Sequence, residues 1–381
     1  MRKILCFTGT RADFPRVRPV LDALQQMTEI DLRLFVTGQH MLDAFGNTLE
    51  DVKHSGVRIA DTYDMYQGEV CNDDKSMALA VARALHKAVE CISEVKPDLA
   101  LVTVDRVETL AFGAACLLMN IPIAHIQGGE LTGTVDESIR HAISKMAHIH
   151  FPANLDAENV LKKMGENPKH IFNYGCPYVD TLLSVPRLSR EELMEITSIE
   201  ISQPFALVVF HPVTTEPDLF IDQLDNLRKV LRQYEDIRFL VFKSNNDSGA
   251  SAISDFWDAE NVEQLLNFPD HIFINLLMHC EAIVGNSSVG IREAPYFGIP
   301  AINIGSRQDL RTRGSNVLDA PDGSESQLLD CFESVFRGSH RKNLMSISQP
   351  YGMKGSAKKI AAQISKFELN RALLNKRFYF S

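Results

Sequence analysis

Short apolar runs rich in β-branched residues alternate along the chain with stretches in which apolar positions recur every three to four residues. In the first half the runs are KILCFTG, DLRLFVTG, DLALVTV and IPIAHI, separated by helix-like stretches at residues 15–24, 77–95 and 108–119. The second half resumes the alternation with FALVVFHP, RFLVFKSN, HIFINL, EAIVGNSS and AINIGS. Strand then helix, repeated, predicts βαβ units, and such units require parallel sheets with helices on both faces. The segment 174–192, YGCPYVDTLLSVPRLSREE, breaks this alternation with two prolines. The pattern therefore predicts an α/β protein of two Rossmann-like domains facing a cleft. One spans residues 1–175 and is completed by a returning helix over 356–375; the other spans 180–350.

Composition narrows the class without changing that picture. A chain of 381 residues that is 45% hydrophobic has enough apolar side chains for two cores. The formal charge of −10 argues against nucleic acid as a partner, while local arginine clusters can still hold a small phosphate ligand. The first apolar run is too short for a signal peptide, and the most apolar later stretch, from Leu110 to Ile126, is interrupted by Asn120 and Pro122, so no membrane span is expected. Seven scattered cysteines without a Cys-x-x-Cys pair predict a reduced, cytoplasmic protein with no structural metal. Neither a G-x-G-x-x-G dinucleotide fingerprint nor a P-loop lysine motif occurs.

In open parallel sheets ligands collect where strands end, so the polar residues just past each run are the candidates. TGTRADFPR (8–16) offers main-chain donors and Arg11 to an anion at the start of a helix, with Arg16 close behind. VTVDRVE (102–108) places Asp105 past the next strand, and IPIAHIQGGE brings Glu130 past the one after. Thr134 and Glu137 have capping-box spacing, so a helix is expected to begin here and to carry Asp136 and Arg140 on the face shared by Ile139, Ile143, Ala147 and His150. Asp136 in a first turn is favoured in its ionised form, and an i,i+4 pair with Arg140 is the structural alternative. His141, His148 and His150 read as satisfied or solvated rather than as a metal site. His211 follows FALVVF directly and is expected at the edge of the second domain. VGNSSVGIREAPYFG (284–298) reads as a strand passing into a helix, with Asn286, Ser287 and Ser288 as a diphosphate cradle and Glu293 as a ribose acceptor. GSRQDLRTR (305–313) adds Arg307 and Arg313.

GTRADF, DRVE, HIQGGELTGTVDESIRHAISKMAHIHF, FHPVTTE, NSSVGIREAPYFGIPAINIG and RQDLRTR occur in the order, and near the spacing, of the UDP-N-acetylglucosamine 2-epimerases. The chain resembles more narrowly their hydrolysing branch, which makes N-acetylmannosamine for sialic acid synthesis. The resemblance implies a glycosyltransferase-B-like fold, a homodimer, no cofactor, and UDP held mainly by the second domain. It also implies Asp105, Glu130 and Asp136 as catalytic acids with His211 beside them. Ser287, Ser288 and Glu293 would contact diphosphate and ribose, with Arg11 and Arg313 near the phosphates. Val104, Pro15, Arg16 and Ser306 depart from the family pattern, which bears on substrate detail around Arg16 and Ser306. Two other enzyme readings stand beside this one: the same reaction on a UDP- or GDP-linked 2,4-diacetamido-trideoxyhexose, and a glycosyltransferase of similar fold.

Overall fold

The computed structural model describes residues 1–10, 13–42, 48–68, 74–103, 105–132, 136–213, 216–242, 259–265, 268–338, 340, 344 and 349–380. The chain divides into two compact units. The first comprises Met1–Leu131, Val135–Thr181 and Tyr351–Ser381; the second is essentially Leu182–Pro350.

In the first unit β1 (Arg2–Thr8), α1 (Phe14–Gln25), β2 (Ile30–Val36), α2 (Leu49–His54) and β3 (Arg58–Thr62) are followed by α3 (Asp74–Val95), β4 (Leu99–Thr103) and α4 (Val107–Leu118). Then come β5 (Ile123–Ile126), α5 (Asp136–Met146), β6 (Ile149–Phe151), α6 (Leu155–Lys163) and α7 (Tyr178–Leu182). All six strands are parallel, in the order β3-β2-β1-β4-β5-β6. The one-residue alternation of a strand decides which core each side chain joins. Ile4, Cys6, Leu99 and Leu101 face α1, whereas Leu5, Phe7, Ala100 and Val102 face α3 and α4.

The second unit runs α8 (Arg190–Thr197), β7 (Phe205–Val209), α9 (Pro217–Leu231), β8 (Arg238–Phe242), β9 (Val262–Leu265), α10 (Asp270–His279), β10 (Ile283–Gly285) and α11 (Val289–Arg292). It continues with β11 (Ala301–Ile304), β12 (Val317–Ala320) and α12 (Glu325–Phe332). Its parallel sheet has the order β12-β11-β10-β7-β8-β9, the strand order of the first unit repeated. After it the chain returns to the first unit as α13 (Ser356–Lys366), whose Ile360, Ala361 and Ile364 join the core formed by Val17, Val20, Leu21 and Leu24 of α1.

Three local expectations are corrected. HIFINL is helix, not strand: it lies inside α10, where Ile272, Ile274, Leu276 and Leu277 are all buried, so no polar face betrays the helical period. The helix expected to carry Ile139 through His150 stops at Met146, and His150 sits in β6 instead. The returning helix ends at Lys366, and residues 371–374 form a separate 3₁₀ turn. Among the described residues no helix is long and apolar enough to cross a membrane.

Candidate active site

Both sheets reverse their winding at one place. β1 and β4 are neighbours, yet the helices that follow them cover opposite faces, and β7 and β10 repeat the arrangement. Beyond the carboxyl ends of such strand pairs the connections diverge and leave a crevice, the place where α/β sheets bind ligands.

At the end of β1 in the first unit the chain turns through Gly9 and Thr10 into Asp13, which is buried. Its carboxylate accepts the Thr8 hydroxyl and the backbone N–H groups of Gly9 and Thr10, the latter two at 3.0 Å each. The Thr8 hydroxyl spends its one proton on Asp13, so it accepts from His40 Nε2 at 2.9 Å. His40 Nδ1 is then the acceptor for Thr48, 2.7 Å away. Burial pushes the Asp13 carboxyl up to about 7, against the hydrogen bonds of Thr8 and Gly9 and with the charge of Glu108 adding to the push. Burial likewise holds His40 down at about 4, a neutral ring. Asp13 thus ties together the turn that leads into Arg11; Arg11 itself lies outside the described residues, as do Val104 and Thr134. Arg16, in α1, stands 5.6 Å from the centre of the Tyr178 ring, a cation–π geometry.

This arrangement carries a pH signature. A carboxyl whose folded value is raised from an ordinary 3.8 adds stability that is full below 3.8 and is lost as pH climbs through about 7. Asp13→Asn removes that titration. The unfolding free energy of the wild type relative to the variant, measured with urea at pH 5 and pH 8, is expected to be smaller at pH 8. A difference independent of pH rules the linkage out.

The candidate acids lie one and two strands further along the same edge. Asp105 follows β4, with its side chain 18% exposed, and is ion-paired to Arg140 of α5, which is almost fully buried. A second nitrogen of Arg140 donates to the backbone carbonyl of Glu130 at 2.7 Å. One guanidinium therefore holds two of the three predicted acids in register, and Asp136 begins the same helix one turn earlier. Arg140, expected beside Asp136 on the inward face of this helix, is the strut between Asp105 and Glu130.

Glu130 reaches its buried position because the chain bends sharply at two glycines. A Cβ on Gly128 would stand 2.7 Å from both His125 Nδ1 and Ser144 Oγ, and one on Gly129, whose φ is +83°, would lie 2.4 Å from the Ala157 carbonyl oxygen. Ser144 is buried against His125 at 3.1 Å. Sequence reasoning missed Asp13, His40 and Glu108. Glu108 is fully buried and accepts from the Tyr66 hydroxyl at 2.8 Å. Asp13 and Glu108 each fall within five residues of the end of β1 or β4, and that shared offset was the available signal.

The second unit builds its strand end around Asn286. β10 closes at Gly285 with φ +130°, where a Cβ would come within 2.1 Å of the Val209 carbonyl oxygen, so only glycine lets β10 lie this close to β7. The Asn286 side chain accepts from the His211 N–H and donates to the His211 carbonyl, both at 2.8 Å. Its own carbonyl accepts from Arg307 at 3.1 Å and from Gln308 at 2.8 Å. Asn286 is thus occupied in holding His211 and the 305–313 loop, a different task from the cradle contact the sequence suggested. His211 is buried and pushed down to about 3 by burial and by the charge of Arg307, so it works as a neutral hydrogen-bonding ring.

Ser287 and Ser288 are half-buried at this strand end. The helix they lead into is one turn long: Pro295 prevents its continuation, and Glu293, expected within it, is its C-terminal cap. Glu293 is buried. Arg313 was expected near phosphates, but its guanidinium is spent on Asp319, on the Gln308 carbonyl at 2.7 Å and on the Arg311 carbonyl at 3.2 Å. It braces the loop from which Arg307 projects. Ser306 donates to Glu216 at 2.7 Å. Among the described residues no group of three or more His, Cys, Asp or Glu side chains is placed to hold a metal ion.

Two parallel six-stranded sheets of equal strand order define a two-domain α/β protein of glycosyltransferase-B-like fold. The structure of UDP-GlcNAc 2-epimerase from Neisseria meningitidis bound to UDP-GlcNAc shares it, with a TM-score of 0.81 at 19% identity over 96% of this chain and 100% of that one. Residues 22–365 match the family model described as UDP-N-acetylglucosamine 2-epimerase, and the chain belongs to that family of epimerases. It is 36% identical over 325 residues to the UDP-N-acetylglucosamine 2-epimerase of Neisseria meningitidis serogroup B, covering 84% of this chain and 83% of the relative. It is 32% identical over 386 residues to the UDP-N,N'-diacetylbacillosamine 2-epimerase (hydrolyzing) of Legionella pneumophila, covering 99% of both.

Proposed function

We propose that this protein is a hydrolysing 2-epimerase that converts UDP-N-acetylglucosamine into free N-acetylmannosamine and UDP, the entry step to sialic acid synthesis. The observation that carries this reading is the pair Asp105 and Glu130 held by the buried Arg140, with Asp136 one turn away on the same helix.

The proton on C2 of an N-acetylhexosamine is barely acidic, so its removal is easier when the anomeric bond breaks in the same step. A carboxylate takes the C2 proton, the C2–H electrons form a C1=C2 double bond, and UDP departs with the electron pair of the C1–O bond. The product is 2-acetamidoglucal, and positive charge developing at C1 is stabilised by the surrounding carboxylates. Water then adds to C1 while a second acid delivers a proton to C2 from the opposite face. Asp105, Glu130 and Asp136 supply the base and acid. The leaving UDP is bound by Ser287, Ser288, Glu293 and Arg307, with Arg11 and Arg16 assisting and His211 donating a hydrogen bond from its neutral ring. The protein works in the cytoplasm as a homodimer.

Turnover of UDP-N-acetylglucosamine in deuterated water, followed by NMR, is expected to yield free N-acetylmannosamine carrying deuterium at C2. Unlabelled product overturns the elimination, UDP-linked N-acetylmannosamine overturns the hydrolysis, and absence of free sugar without an acceptor indicates a glycosyltransferase. The end-to-end match to the Legionella pneumophila relative favours one second reading, in which the sugar is a nucleotide-linked 2,4-diacetamido-trideoxyhexose. The ratio of kcat/KM for the two substrates decides between them.

A further inference from the structure

At the opposite edge of the first sheet from the candidate acids, where β5 and β6 begin, the C-terminal segment closes over a pocket of about 300 Å³. Tyr379 donates its backbone N–H to the Gly165 carbonyl at 3.0 Å, and the Phe378 ring lies against Gly165, where a Cβ would stand 2.4 Å from it. The pocket wall includes His148, Glu166, Asn375, Lys376 and Arg377.

His148 is 3% exposed, and its Nδ1 accepts the Ile123 N–H at 3.1 Å. The ring proton must therefore sit on Nε2, which has no hydrogen-bond partner among the described residues. His148 lines the pocket, so this N–H is available to an acceptor bound there. Arg377 is exposed and likewise has no ion pair among the described residues.

The charge balance of the wall is positive. Glu166 is the one carboxylate in it, and both of its oxygens are engaged: Lys145 at 2.9 Å on one, His150 at 2.9 Å and Lys376 at 2.6 Å on the other. Within the wall Lys376 balances this carboxylate, and Arg377 leaves one net positive charge.

We infer that this pocket is a binding site for a small polar molecule carrying an oxyanion, a phosphate or carboxylate, received by the His148 Nε2–H and the Arg377 guanidinium. A guanidinium presents its donors in a fork that matches either group. The volume is at the lower end of the range for small-molecule sites. Helix α5 joins the two edges: Asp136 and Arg140 lie toward its start, and Lys376 donates to the carbonyls of Lys145 and Ala147 at its end, at 2.7 and 2.6 Å.

Calorimetric titration of the full chain with inorganic phosphate, and separately with acetate, in a zwitterionic buffer tests the site. Saturable binding of at least one anion is expected, weakened at least tenfold by Arg377→Ala with an unchanged melting temperature, and largely retained by Arg377→Lys. Tighter phosphate binding identifies a phosphorylated ligand, and tighter acetate binding a carboxylate. Absence of saturable binding by either anion, or an affinity indifferent to Arg377→Ala, overturns the inference.

Discussion

Asp105→Asn is expected to lower kcat on the nucleotide sugar by about 10² to 10⁴, the range associated with loss of a positioned acid or base. Asparagine keeps the shape of the side chain and can still accept a hydrogen bond from Arg140, but it cannot take or return a proton. Arg140 is almost fully buried, and its ion pair is with Asp105. The substitution also leaves a buried guanidinium without its counter-charge, so part of any loss of activity could come from displacement of Glu130, whose carbonyl the same guanidinium binds.

A second variant separates the two effects. Arg140→Lys keeps a cation but cannot span both contacts, so it acts on placement alone. If Asp105 carries a proton, Asp105→Asn flattens one limb of the kcat/KM pH profile, whereas Arg140→Lys lowers the whole profile and preserves its shape. In both variants the dissociation constant of UDP is expected to change less than threefold. An Asp105→Asn enzyme with wild-type kcat sinks the assignment.

Glu166→Gln is expected to destabilise the protein by about 3 kcal/mol, read as a shift in the urea midpoint at pH 7. Glu166 is 1% exposed and serves three partners at once, His150, Lys145 and Lys376. Burial alone would raise its pKa, but the hydrogen bond and charge of His150, joined by those of Lys376, outweigh it and hold the carboxyl at about 2. A folded value below the ordinary 4.5 means that this contribution is complete above pH 4.5 and disappears as pH falls toward 2. The wild type is therefore expected to lose stability over that window faster than Glu166→Gln, and the two denaturation midpoints converge in acid. Parallel loss by both proteins would show that the charge on Glu166 is not what holds this corner. The residue was invisible as a centre in the sequence, because Lys145 and Lys376 are brought to it from α5 and from the C-terminal segment.

The same division between local and distant information runs through the fold. The apolar runs correctly mark β1, β2, β4, β5, β7, β8, β10 and β11, which are the inner strands of both sheets. The strands without a clear run are β3, β6, β9 and β12, the outermost positions of each sheet. An edge strand has a neighbour on one side only and carries more polar residues: RIADT has no fully buried position, and VEQL and VLDA have one each. β6 is apolar, but it is three residues long and continues the helical spacing of α5, so periodicity extended the helix through it.

What the sequence determined by itself is what a few neighbouring residues can encode. The alternation of run and helix determined the parallel α/β class, the turn glycines at 128, 129 and 285 determined where strands could end tightly, Asp105, Glu130 and His211 could be placed by their offset from strand ends, and Asp136 by its place in a helix's first turn. Which side chains they meet was decided only in three dimensions. Arg140 pairs with a carboxylate 35 positions away, and Asn286 holds a histidine 75 positions away. Such partners depend on strand order and helix length, both set by the packing of whole sheets, and no local spacing records the outcome. The same packing buries Asp13, His40 and Glu166: burial, a property of the assembled core, moves the pKa values of Asp13 and His40, whereas the partners gathered around Glu166 move its own down against burial.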